Sequence, residues 1–140
     1  MSDRTLFEKI VAGEIPSYTV YEDETTYAFL DANPLAPGHT LVIPKKPYER
    51  LNDMPREEAA EVFGMLGEIA AAVEAAVDAP ATTIAVNNGA AAGQEVPHVH
   101  WHIIPQFEDD GARPIHMLFD GADLSDAEME EIAERVRAHR

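Results

Sequence analysis

The chain has 140 residues, 46% of them hydrophobic, and no cysteine. This length and apolar share suit one folded domain with a real core and exclude a disordered chain, a disulfide framework and a thiolate metal site. Twenty-six acids against ten Lys and Arg give a net charge of −16, which excludes binding to duplex nucleic acid by phosphate neutralisation. Residues 1–9 hold no signal-type apolar core, and the longest apolar stretch, around residues 69–77, is broken by Glu74 and too short to span a bilayer, so a cytoplasmic protein with no membrane partner is expected.

Residues 3–12 place Leu6, Phe7, Ile10 and Val11 at helical spacing before Gly13, which predicts a short N-terminal helix. Residues 18–21 and 26–30 are β-prone runs split by Glu22, Asp23 and Glu24, which predicts a hairpin. Residues 33–38 read as a turn rich in proline, and residues 39–44 as a strand ended by Pro44. Pro55 suits a helix's first turn. From there to Val77, the residues Val62, Phe63, Leu66, Ile69, Ala70, Val73 and Val77 make one apolar stripe, with Glu57, Glu61 and Glu68 on the wetter side. Gly64 and Gly67 cost that helix about 1 kcal/mol each relative to alanine, and this predicts close packing around them.

Residues 82–86 read as a strand, residues 87–93 as a small-residue loop and residues 99–104 as a further strand. Ser125-Asp-Ala-Glu128 has the form of a capping box for a last helix reaching about Arg137. The spacings between strands are too short for successive βαβ crossovers. The expected fold is therefore α+β, a mainly antiparallel sheet of about five strands with one long helix packed on it, a short N-terminal helix and a C-terminal helix.

The most informative stretch is residues 98–105, His-Val-His-Trp-His-Ile-Ile-Pro. On a strand, His98, His100 and His102 share one face while Val99, Trp101 and Ile103 take the other. Three readings compete. The row is a half-exposed structural strand, a metal site or a catalytic row in which one imidazole attacks and its neighbours orient it. Geometry weighs against one ion held by all three, because His98 and His102 begin about 13 Å apart along a strand and zinc–nitrogen bonds are only about 2.0–2.1 Å. Two neighbouring histidines with a third ligand from elsewhere could hold an ion, but no metal is expected. Just before this strand lies Val86-Asn-Asn-Gly89-Ala-Ala-Ala92-Gly-Gln94, a loop whose small residues let backbone amides approach an anion. Gly38-His39 opens another strand that can flank the row.

Together these pieces resemble the histidine triad superfamily. The signature is His98-Val-His100-Trp-His102-Ile-Ile, each histidine followed by apolar residues. The resemblance continues through Phe7-Glu-Lys-Ile10, Gly13-Glu-Ile-Pro16, Tyr21-Glu-Asp, Ala28-Phe-Leu-Asp31, Ala36-Pro-Gly-His39, Leu41-Val-Ile-Pro-Lys-Lys46, Val86-Asn-Asn-Gly89 and Ala92-Gly-Gln94, in the order of the phosphoramidase-like branch, and covers roughly residues 4–106.

The resemblance implies a homodimer with joined sheets and a nucleoside monophosphate pocket in each subunit. It implies hydrolysis at the α-phosphorus through a nucleotidyl-histidine intermediate, with no cofactor. By motif position His100 is the nucleophile, His98 supports it, His102 meets phosphate oxygens or the leaving group, and His39 completes the hydrogen bonding. Asn87, Gly93 and Gln94 fall on the phosphate side, Asp31 at the ribose hydroxyls, and Phe7, Ile10, Phe29 and Leu30 around the base. Residues 1–106 are then the core, and residues 107–140 a C-terminal extension expected to pack on the same single domain. Glu95 departs from the hydroxyl residue many eukaryotic members carry there. Two other activities use the same residues: a nucleotide-binding regulatory dimer with little turnover, and a dinucleoside polyphosphate hydrolase.

The acids are dispersed along the chain, and only Lys9, Lys45 and Lys46 are lysines. We read this as a salt-adapted surface of a halophile, because molar salt shortens the Debye length to about 3 Å and removes the self-repulsion. The competing reading is an ordinary acidic cytosolic protein.

Overall fold

The computed structural model describes residues 4–140. It forms two compact units, one ending at Asp110 and the other spanning Gly111–Arg140. The first unit contains α1 (Leu6–Val11), β1 (Thr19–Glu22), β2 (Thr26–Leu30), β3 (Thr40–Pro44), α2 (Arg56–Val77), β4 (Ala81–Ala85) and β5 (Trp101–Gln106). The second contains α3 (Asp126–Ala138), entered through a Ser125–Glu128 capping box as the sequence predicts. No helix among the described residues is long and apolar enough to cross a membrane.

The five strands make one sheet in the order β1-β2-β3-β5-β4, every neighbouring pair antiparallel. Strand alternation sends side chains to two faces. Ala28, Val42, Trp101 and Ile103 form one core with Val62, Leu66, Ile69, Ala70 and Val73 of α2. Tyr27, Phe29, Leu41 and Ile43 form the other with Phe7 and Ile10 of α1. This is the expected α+β architecture, with the long helix on one face.

Three expectations need correction. The N-terminal helix spans Leu6–Val11 rather than residues 3–12. Thr5 caps it with a capping box to Glu8, and the expected first residue, Asp3, lies outside the described residues. Gly64 and Gly67 are not closely packed among the described residues, because a Cβ at either meets nothing within 4 Å. They fall on the outward side of α2, where Phe63 is also exposed although its ring meets Trp101 edge-on at 5.2 Å. Finally, the histidine strand begins two residues later than expected. The β3–β5 ladder ends at Val42 opposite Trp101, and the Val99 N–H bonds instead to the Tyr48 carbonyl at 2.8 Å.

Gly38 shows how His39 is delivered. Its φ of 92° suits glycine, and a Cβ there would lie 2.9 Å from Val77 Cγ1 at the end of α2. The chain can therefore press against the helix just before it enters β3. His39 then falls on the same side of β3 as Leu41, the residue opposite His102.

Candidate active site

The site opens on the sheet face away from α2, as a cavity of about 450 Å³. Leu6 and Phe7 of α1 form one wall, and Asp31, Asn33 and Leu35 of the β2–β3 turn another. His39, His100 and His102 line it together with Asn87, Gly93 and Glu95 of the loop before β5. Among the described residues no Lys or Arg lines the cavity, so an anion placed there would be met by imidazoles and neutral donors.

The backbone groups around these rings settle where their hydrogens are. The Leu35 N–H donates to His39 Nδ1 at 3.0 Å, so that nitrogen holds a lone pair and Nε2 carries the hydrogen. His39 Nε2 then donates to His102 Nδ1 at 2.9 Å, which leaves His102 with its hydrogen on Nε2. Asp31 Oδ2 stands 3.6 Å from His39 Nε2, and its other oxygen accepts the Asn33 N–H at 2.8 Å. His100 Nδ1 donates to the His98 carbonyl at 2.8 Å, so its Nε2 keeps a free lone pair. His100 and His102 are adjacent, with ring centroids 5.2 Å apart. The face of the sheet thus carries one imidazole set as a nucleophile and one set as an N–H donor.

Burial holds His39 and His102 below the ordinary imidazole range. For His39 the nearby Asp31 opposes this, and for His102 the charges of His100 and His39 add to it. Burial also lowers His98, against the pull of the Pro44 carbonyl. Neutral rings are what the tautomer network requires.

His98 stands apart from the other two. It is fully buried and does not line the cavity. Its Nε2 donates to the Pro44 carbonyl at 2.8 Å and its Nδ1 faces Thr5 Oγ1 at 2.8 Å. The expected row on one open face is therefore two imidazoles at the cavity and one anchor beneath them, because the chain leaves the β3 ladder before Trp101.

The remaining predicted residues divide in the same way. Phe7, Asp31, Asn87 and Gly93 line the cavity. Ile10 and Phe29 are core residues, and Leu30 is exposed at the end of β2 outside the lining. Gln94 also lies outside it. Its amide nitrogen donates to the Glu49 carbonyl at 2.6 Å and the Val96 carbonyl at 3.0 Å, and its oxygen accepts the Gly89 N–H at 2.7 Å. It braces the loop that carries Asn87 and Gly93. Sequence reasoning passed over Thr5 and treated Glu95 only as a departure. The Thr5-Leu-Phe-Glu8 pattern was a readable capping box, but nothing local showed that its hydroxyl reaches a histidine 93 residues away.

Asp31, His39 and His102 bring three ligand atoms within 4.8 Å of one another, close enough for a metal ion. The donor set argues for a hydrogen-bond relay instead. A metal on His39 Nε2 would push its hydrogen to Nδ1, directly against the Leu35 N–H. That exchange loses one buried hydrogen bond and sets two donors face to face.

Known proteins carry the same arrangement of sequence and fold. The HIT domain profile matches residues 12–109. An uncharacterized HIT-like protein of Methanocaldococcus jannaschii is 50% identical over 107 residues, covering 76% of this chain and 81% of its own. The adenylylsulfatase HINT3 of Arabidopsis thaliana is 37% identical over 134 residues, covering 96% of this chain and 68% of its own. The crystal structure of a HIT family protein from Bacillus subtilis superimposes with a TM-score of 0.88 at 35% identity, covering 99% of this chain and 98% of the other. With the domain matched over most of its length and the sheet and helices shared throughout, this chain belongs to the HIT domain family.

Proposed function

We propose that this protein is a nucleotide hydrolase of the phosphoramidase-like branch. It cleaves nucleoside 5′-phosphoramidates or related nucleotide conjugates at the α-phosphorus, through a covalent intermediate on His100. The observation that carries this reading is the His100 ring, which lines the cavity with Nδ1 tied to the His98 carbonyl and Nε2 free. A neutral imidazole so held is a competent nucleophile without a metal. Kinship to a protein named as an adenylylsulfatase supports hydrolysis of a nucleotide conjugate.

In this reading His100 Nε2 attacks phosphorus. The leaving nitrogen, protonated from solvent, departs with the electron pair of the P–N bond. The Nε2–H of His102, aligned by His39, donates to a phosphoryl oxygen as charge builds there. Water then displaces Nε2 from phosphorus and releases the nucleoside monophosphate and a proton. Asp31 takes the ribose hydroxyls, Phe7 packs near the base, and Asn87 and Gly93 lie beside the phosphate. Residues 1–106 form the catalytic core, and residues 107–140 are its extension.

We also read the protein as a homodimer. β4 is an edge strand of sequence Ala-Thr-Thr-Ile-Ala, without a charged residue and with Ile84 exposed. Edges left unblunted by charge invite pairing. Gly64 and Gly67 leave open space on α2 for a close neighbour. Light scattering in molar salt should give twice the mass of the chain, and a monomer at micromolar concentration contradicts it. We read the setting as cytoplasmic, and the acid excess supports high salt there.

Turnover of an adenosine 5′-phosphoramidate in molar salt tests the function. Release of AMP, with rapid quench trapping the nucleotide on an acid-labile histidine at position 100, is the expected result. Binding without turnover would instead favour a regulatory nucleotide-binding dimer, and preferred cleavage of dinucleoside polyphosphates would favour that substrate class.

A further inference from the structure

We propose that Thr5 is a positioning residue for the reaction: its hydroxyl donates to the Nδ1 lone pair of His98 and holds in one place a ring whose tautomer the Pro44 carbonyl sets, and the carbonyl of His98 in turn orients the nucleophile His100. This rests on the hydrolase reading above.

Each link in the chain has a defined donor. The Pro44 carbonyl can only accept, so His98 Nε2 carries the hydrogen and Nδ1 holds a lone pair. Facing that lone pair is Thr5 Oγ1 at 2.8 Å. The same oxygen already accepts the Glu8 N–H at 3.0 Å as the N-cap of α1. Its own hydrogen is therefore left for His98. With both ring nitrogens held and the side chain fully buried, the backbone at His98 is fixed. Its carbonyl takes the Nδ1–H of His100 at 2.8 Å. That last bond decides which nitrogen of His100 is free.

The rest of α1 agrees with this role. Phe7, two residues on, meets the His98 and His100 rings edge-on, with centroids 5.6 and 4.9 Å away. The short helix thus braces both rings from one side, and Thr5 supplies the polar part of the brace. Thr5 is absent from the cavity lining, so it acts through His98 and not on substrate. An acceptor cannot replace it. A carboxylate at this position would still cap the helix but would set a second acceptor against the Nδ1 lone pair.

The test uses the full chain with Thr5→Val, Thr5→Asp and Thr5→Ser, and adenosine 5′-phosphoramidate as substrate. T5V removes both cap and donor, T5D keeps the cap and removes the donor, and T5S keeps both. For T5V and T5D, kcat should fall about tenfold or more, the usual scale for losing the partner that orients a reactive imidazole. KM should be unchanged, and T5S should restore the rate. Nitrogen-15 spectra of the histidine rings should show His98 Nδ1 as a hydrogen-bonded lone pair in the wild type and in T5S, with the hydrogen on Nε2 held by Pro44, and should lose that Nδ1 hydrogen bond in T5V and T5D. Should T5V not fold, T5D decides the matter. A T5D enzyme with wild-type kcat, or a His98 spectrum indifferent to all three changes, overturns the proposal. If the wild type does not turn over the conjugate, the hydrolase reading falls, and the ring spectra decide Thr5's role on their own.

Discussion

β5 shows two kinds of order on its two sides. Toward α2 it presents Trp101 and Ile103, 2% and 0% exposed, against a wholly apolar partner surface. Toward the cavity it presents His102, next to His100 and bonded to His39. The first side is held by buried area, which is non-directional and forgives exchange of one apolar group for another. The second is held by single hydrogen bonds, each needing one donor and one acceptor at one place. Stability and chemistry are therefore separable on one six-residue strand, and substitutions on its two sides should fail in different ways.

The largest expected effect is His100→Ala. Losing the nucleophile should lower turnover by several orders of magnitude, while AMP binding by calorimetry and the thermal midpoint stay near wild type. Normal turnover, or label trapped on another residue, would remove His100 from the mechanism. Trp101→Ala should do the reverse. It opens a cavity between the sheet and α2 and should cost about 3–5 kcal/mol in denaturant unfolding, yet protein still folded should keep its rate per active site. A large loss of rate in the folded fraction would mean the two sides are coupled.

Next in size is a pH effect on the polar side. His39, His98 and His102 are all lowered chiefly by burial. In the unfolded chain they protonate below the ordinary imidazole value of about 6.5, while in the fold they resist protonation. The unfolded state then binds more protons, so stability is full above that value and is lost as pH falls toward the folded values. Melting curves from pH 7.5 to 5.5 should show a falling midpoint. They should be run in molar salt, so that relief of acidic repulsion does not mask the trend. A midpoint that rises on acidification would contradict the neutral tautomers.

A net charge of −16 should make the protein less stable in dilute buffer than in molar potassium chloride. A melting temperature indifferent to salt would leave the acidity as mere composition. The smallest effect expected is none at all. Chelation should leave turnover unchanged, because the Asp31–His39–His102 cluster is read as a proton-bearing relay. Activity lost on chelation and restored by zinc would make that cluster a metal site.

The apolar side was legible because burial leaves a period. The stripe from Val62 to Val77 predicted α2 and its inward face, and β-prone runs between turn signals predicted the strands, one hairpin and a mainly antiparallel sheet, but not the strand order. Phe63, Gly64 and Gly67 escaped, since a helical stripe shows that a face is apolar but not how much neighbouring surface covers its margin. The polar side was legible as a set of residue types and only partly as positions. Phe7, Asp31, Asn87 and Gly93 reach the cavity, whereas Ile10 and Phe29 turn to the core and Gln94 to the loop backbone.

What the sequence determined by itself was local. Period, capping and turn chemistry act over a few residues, so they specified the elements, the α+β class and the spacing of His98, His100 and His102. What tertiary structure alone decided was which group each polar atom meets. The Tyr48 carbonyl takes the Val99 N–H and ends the ladder early. Pro44 and Thr5 turn His98 into an anchor, and Leu35 sets the tautomer of His39. Tyr48, Pro44 and Thr5 lie far along the chain from their partners, Leu35 only four residues from His39, and in every case a hydrogen bond depends on ångström-scale distance and on direction, neither of which any spacing in the sequence encodes.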